Sequence, residues 1–141
     1  MPLVGGGGAG NTAGSNPAGT GSVLNYVGNH VYAYSGTFSA TTSAQTTLEF
    51  TTGPEYIVGQ MVTNGAILFS NAGGLKSAFQ ISLNGEIVAL TQIDNQTDHS
   101  PGPPTIPLIL PPFTKVKVEV DSDDNNASVF STTMFTGRVY A

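Results

Sequence analysis

Cysteine and tryptophan are both missing from this chain of 141 residues, and charge is scarce. Without Cys there is no disulfide, no thiolate metal site and no thiol nucleophile, and cysteine usage leaves the redox compartment open. Charged residues make up 9% of the chain, where an average globular protein has about 25%. The only Lys and Arg residues are Lys76, Lys115, Lys117 and Arg138, and the net charge is −5. A polyanion would find no basic patch, so nucleic acid and anionic membrane surfaces are excluded as partners. No apolar run approaches the ~18 residues of a membrane span. The N-terminus has neither a basic region nor a hydrophobic core, so no signal peptide is expected.

What fills the chain is Gly, Ser, Thr and Asn around an ordinary hydrophobic content of 39%. The length fits one domain able to bury most of its apolar surface without staples. A folded protein this poor in charge keeps itself soluble only weakly, so part of its surface is expected to be covered by other protein chains.

The most informative stretch is Ile106–Val120, IPLILPPFTKVKVEV. Val116, Val118 and Val120 alternate with Lys115, Lys117 and Glu119, the pattern of a strand with one buried and one wet face. Pro111-Pro112 cannot donate to a sheet ladder, so it marks a kink or a strand changing sheets. Ala127–Tyr140 returns as a long strand with Val129, Phe135 and Val139 on one parity and Phe130 and Met134 on the other. Apolar residues on both parities predict a strand covered on one side by its own core and on the other by something else.

Upstream, Met1–Ser22 holds eight glycines, two prolines, no charge and only Leu3 and Val4 as larger apolar residues. Alone it cannot offset its backbone entropy and reads as an extended arm, either a tail or a segment lying in a groove on a neighbour. No Asp, Glu, Lys or Arg occurs before Glu49, which favours the arm over a solvating tail. Val23–Val27 reads as a short strand. Val31–Ala40 reads as a strand with Tyr32, Tyr34 and Phe38 on one parity, expected in the core, with a subunit contact as the alternative. Gln45–Thr52 alternates through Leu48 and Phe50. Asn64-Gly65 predicts a type I′ hairpin between Tyr56–Val62 and Ala66–Phe69, and Asn84-Gly85 predicts a second one. Asp94–Thr105 is a long Pro-rich loop. About eight strands, turn signals every 8–12 residues and no amphipathic helix predict an all-β antiparallel sandwich, jelly-roll-like, over 23–141, preceded by the arm over 1–22.

Catalytic chemistry is sparse. His30 and His99 are far apart and cannot form the multi-His metal cluster of a cupin. Asp98, His99 and Ser100 are adjacent and cannot face one another as a triad. The Gly-rich arm lacks the Gly-Lys-Ser/Thr of a phosphate loop, and the acids are not arranged as a glycosidase pair. No enzyme and no cofactor is expected. In Asp121–Asn126, the carboxylates of Asp121, Asp123 and Asp124 are a weak candidate for Ca²⁺. An EF-hand would need Gly and Glu where Asn126 and Thr132 stand, so a solvated acidic turn is the preferred reading. Asn95 and Asn126 each begin a glycosylation triplet, with no secretory signal to support it.

The arm GGGGAGNTAGSNPAGTG, the all-β body and the closing pattern LILPPFTKVKVEV…FTGRVYA together resemble the small decoration, or cement, proteins of tailed-bacteriophage capsids. The resemblance implies a jelly-roll module, often a homotrimer, bound to the major capsid protein on the outside of the virion after synthesis in the host cytoplasm. It implies an arm from Leu3 through Gly21 that lashes capsomers together. The partner-binding residues would then be Leu3, Val4, Asn11, Asn16 and Pro17, with Tyr32 and Tyr34 on the body. The rival from another class is a carbohydrate- or receptor-binding β-sandwich of a phage tail or fibre, stacking sugars on exposed Tyr or Phe.

Overall fold

The computed structural model describes residues 24–39, 41–67, 76–94, 105–122 and 129–140. Within them lie ten strands and no helix: β1 (Asn25–Val27), β2 (His30–Tyr34), β3 (Phe38–Ser39), β4 (Gln45–Thr51), β5 (Tyr56–Ile67), β6 (Lys76–Leu83), β7 (Glu86–Asp94), β8 (Thr105–Leu110), β9 (Lys115–Ser122) and β10 (Val129–Tyr140). They form two antiparallel sheets. Sheet I runs β1-β2-β10-β5-β8, with β3 also on β10, and sheet II runs β4-β9-β6-β7.

The eight longer strands pair outermost with outermost: β2 with β10, β4 with β9, β5 with β8, β6 with β7. That is one long hairpin rolled up so that alternate pairs fall in opposite sheets, the wrapping of a jelly roll. The expected all-β sandwich is therefore observed. The two closing strands sit centrally, β9 between β4 and β6 and β10 between β2 and β5.

Sheet II follows the alternation of its sequence. Val116, Val118 and Val120 are buried, and they meet Leu48, Phe50, Phe79 and Ile81. Each fully buried side chain of this size contributes ~1.5–3 kcal/mol. The outward residues carry ion pairs, Lys115–Glu49 at 3.5 Å and Lys117–Glu119 at 3.7 Å. From sheet I come Val31, Ala33, Ile57, Met61, Leu110 and Phe135. Phe135 reaches across to Phe50, ring centroids 5.5 Å apart. Two threonine pairs also bridge the sheets, Thr47–Thr133 at 3.0 Å and Thr63–Thr91 at 3.2 Å. These give buried hydroxyls the partners that burial demands.

The double proline does change sheets, since β8 belongs to sheet I and β9 to sheet II. The Pro111 carbonyl accepts two hydroxyls, from Thr52 at 2.9 Å and Thr114 at 2.8 Å. Thr114 N–H donates to Thr52 Oγ1 at 2.8 Å, which locks this corner to the end of β4.

Three local expectations are corrected. Asn64-Gly65 is no turn: β5 runs unbroken and lies opposite β10, Asn64 against Thr132 and Gly65 against Ser131. Twelve residues of pairing with β10 override a two-residue propensity. Asn84-Gly85 has no such partner and turns as expected, at φ 51° and 87°. Val31–Ala40 is split at Gly36 (φ 74°) into β2 and β3, both on the same flank of β10. Within β2 the parity is the reverse of the aromatic-core reading, because Val31, Ala33 and the adjoining Ser35 point inward and Tyr32 and Tyr34 outward, half-buried.

Sheet I closes tightly around Gly59 and Gly137, which face each other on β5 and β10. A Cβ on Gly59 would run into the Thr136 carbonyl oxygen and lie 2.7 Å from the Phe135 ring and 2.8 Å from Gly137 Cα. The ring and the β10 backbone occupy the space a side chain would need. Gly59→Ala should therefore cost about 1–3 kcal/mol by overpacking, seen as a Tm loss of several degrees. Gly53→Ala meets only the Tyr26 hydroxyl, at 3.8 Å, and should leave Tm nearly unchanged. Equal Tm values for both variants would contradict this packing.

Candidate functional site

The two outer faces of the sandwich differ in chemistry. The strands of sheet II hold Glu49, Lys76, Glu86, Asp94, Lys115, Lys117, Glu119 and Asp121. Those of sheet I hold a single Asp, Glu, Lys or Arg residue, Arg138. Most exposed large apolar side chains gather on sheet I or its corner: Val27, Tyr56, Val58, Ile109, Phe113, Met134 and Tyr140. The remainder, Ile87, Val88 and Leu90, lie on the β7 edge.

The register sets these residues in rows. The pairing of β2, β10, β5 and β8 lines up His30–Arg138–Val58–Ile109, then Tyr32–Thr136–Gln60–Pro107, then Tyr34–Met134–Val62–Thr105. Tyr140 faces Tyr56 beyond the first row. Tyr32 and Tyr34 pack on each other with ring centroids 5.1 Å apart. Beside the first two rows an open hollow of ≈ 380 Å³ is lined by His30, Val58, Gln60, Pro107, Thr136 and Arg138, with the backbone of Gly59 and Gly137 between them. A smaller hollow of ≈ 200 Å³ on sheet II is lined by Gln80, Leu90, Glu119 and Asp121 among others. In it Gln80 Nε2 donates to Glu119 Oε1 at 3.4 Å, and Lys117 neutralises the same carboxylate. The Gln80 and Glu119 side chains there are thus already paired.

At the β1 end, burial and then the negative charge of Glu55 hold the Tyr26 phenol above its ordinary value of 10.0, opposed by a backbone hydrogen bond with Gly53. Tyr26 is thus kept neutral and packs against the core. At the corner, Phe113 is exposed at φ 56°, a conformation unusual for a bulky side chain.

Of the residues singled out from sequence, Tyr32 and Tyr34 come together on this outer face. Leu3, Val4, Asn11, Asn16 and Pro17 lie outside the described residues, as do His99, Asp123 and Asp124. Asp121 sits near the end of β9, opposite Ala78. Among the described residues no three potential metal ligands come together. Sequence reading missed Val58, Gln60, Ile109 and Arg138. Their one signal is outward parity on strands whose other parity is buried.

No protein-family model and no curated protein matches the sequence. Among solved structures, the chain is similar to that of the infectious bursal disease virus VP2 subviral particle, at 14% identity and a TM-score of 0.44, over 83% of this chain and 34% of that one. It is similar likewise to the T13 IBDV viral particle, at 14% identity and 0.42, over 83% and 33%. This chain thus spans about a third of the length of either.

If that face is a contact surface rather than core, it should tolerate polar substitution. Ile109→Ser with Met134→Ser should cost at most about 1 kcal/mol, the scale of exposed cross-strand pairs. Val118→Ser in the core should cost several times more. A double variant as destabilised as Val118→Ser would contradict the assignment.

Proposed function

We propose that this chain is a non-catalytic structural subunit of a virion, laid by the outer face of sheet I against the outside of a capsid as a decoration or cement protein. One observation carries the reading: a sheet face with one charged residue and exposed Tyr, Val, Ile and Met stands opposite a face bearing the ionic groups. Contiguous exposed apolar surface on a soluble domain marks an interaction site, and Tyr and Met are enriched in interface cores while Lys, Glu and Asp are depleted. The acidic net charge of −5 suits the shell exterior rather than a nucleic-acid interior.

The partner on this reading is the major capsid protein, with self-contact as a homotrimer. Tyr32 and Tyr34 would contribute through the outer face, and Leu3, Val4, Asn11, Asn16 and Pro17 through the arm. Repetition over the shell would make modest single contacts collectively strong. Carbohydrate recognition is the second reading, favoured by the paired rings of Tyr32 and Tyr34 on an outer face.

Co-sedimentation with shells stripped of this protein tests the proposal. Full-length chain should bind saturably at a fixed ratio. Met134→Lys with Ile109→Lys should weaken binding tenfold or more without unfolding, and deletion of residues 2–22 should weaken it further. Shell binding indifferent to the double variant would overturn the assigned face. Absence of binding together with a positive glycan array would replace the proposal by the carbohydrate reading.

A further inference from the structure

Arg138 is out of keeping with its surroundings. Its guanidinium stays charged at any physiological pH, yet it stands on a face whose strands carry no carboxylate. Lys115 and Lys117 both have an acid within ion-pair distance, whereas Arg138 has none among the described residues. The groups facing it from each neighbouring strand are His30 on β2, Val58 and Gln60 on β5, Pro107 and Ile109 on β8, and Thr136 and Tyr140 on β10.

Arg138 gives that set a donor-only centre, and its neighbours can also donate. Arg138 offers a planar fork of donors, and the Gln60 amide, the Thr136 hydroxyl and the His30 ring add further N–H and O–H groups around the same hollow. Val58 and Pro107 line the same hollow and Ile109 stands next to Val58 in the register, so a docked surface would exclude water there. A charge-assisted, bidentate hydrogen bond gains strength where water is excluded. An unpaired Arg buried under a partner would be costly, so the docked surface must bring its own anion.

We propose that Arg138 is the seat for a carboxylate side chain on an acidic peptide segment of the docking protein, with Gln60, Thr136 and His30 as secondary donors. The identity of that partner rests on the docking reading above, whereas the seat itself is testable without any shell. A protein carboxylate is favoured over a sugar acid because aliphatic Val58 and Pro107 line the seat and exposed Ile109 pairs with Val58 beside it, a match for apolar side chains next to an acid.

The test is an amide NMR titration of the full-length chain with the blocked peptide acetyl-Gly-Glu-Gly-amide. Acetyl-Gly-Gln-Gly-amide serves as the uncharged control, and glucuronate and a sialoside as sugar acids. The Glu peptide should shift His30, Gly59, Thr136 and Gly137 saturably at millimolar concentration, and the Gln peptide should not. Arg138→Gln should abolish the shifts while Tm stays unchanged, and Arg138→Lys should weaken binding severalfold because an ammonium cannot form the fork. Absent shifts, or shifts that persist in Arg138→Gln, would overturn the seat. Saturation by a sugar acid but not by the Glu peptide would overturn its assignment to a protein. A positive titration with no shell binding would leave the seat standing and remove the capsid reading. Shell binding unchanged in Arg138→Gln would overturn the assignment of the seat to the docking protein and leave the capsid reading standing.

Discussion

The packing of Phe135 against Gly59, where β5 faces β10, governs the arrangement of both sheets. Gly59 leaves room for the ring, Gly137 opposite leaves room for Ile57, and the ring in turn spans the sandwich to Phe50. That contact fixes the inward parity of β10. Because β10 pairs with β2, β3 and β5, it also fixes the parity of its neighbours. Whatever points outward from sheet I does so because Phe135 points in. The row of Met134, Thr136, Arg138 and Tyr140 is a consequence of the core.

From this follows a molecule with two unlike sides. Sheet II pairs four of its charged residues, Lys115 with Glu49 and Lys117 with Glu119, although exposed pairs of this kind contribute only about 0–1 kcal/mol each. Their greater effect is to keep that face wet. Sheet I has aromatic and aliphatic side chains at the same positions in the pleat and one cation, Arg138, with no acid within ion-pair distance among the described residues. The sheets are held together by an apolar core and by the paired hydroxyls of Thr47 with Thr133 and Thr63 with Thr91. Asymmetry of the outer faces therefore costs the sandwich little, and the surface of sheet I is free to serve binding.

Much of the fold was legible in the sequence. The valines of β9 alternate without interruption, Asn84-Gly85 turns where its residues demand, and Pro111-Pro112 stands where the chain leaves one sheet for the other. What failed was local propensity where a long-range partner had the larger claim. Asn64-Gly65 is held extended by β10, and Tyr32 and Tyr34 are turned outward because Val31 and Ala33 fill the narrow space beneath. The candidate site was legible only in part. The apolar residues on both parities of the last strand predicted a second covering. The meeting of Arg138 with His30, Val58 and Gln60 depends on register between strands distant in sequence, which no single-strand pattern contains.

On the proposed docking, the outer face of sheet I is the one covered in the assembled particle. Hydroxyl-radical footprinting of the free protein and of intact particles, read by mass spectrometry, tests it most directly. Strong protection of Tyr32, Tyr34, Tyr56, Met134 and Tyr140 is expected on assembly, while Val88 and Leu90 on β7 remain as reactive as in the free protein. Protection of β7 with sheet I unchanged would contradict it.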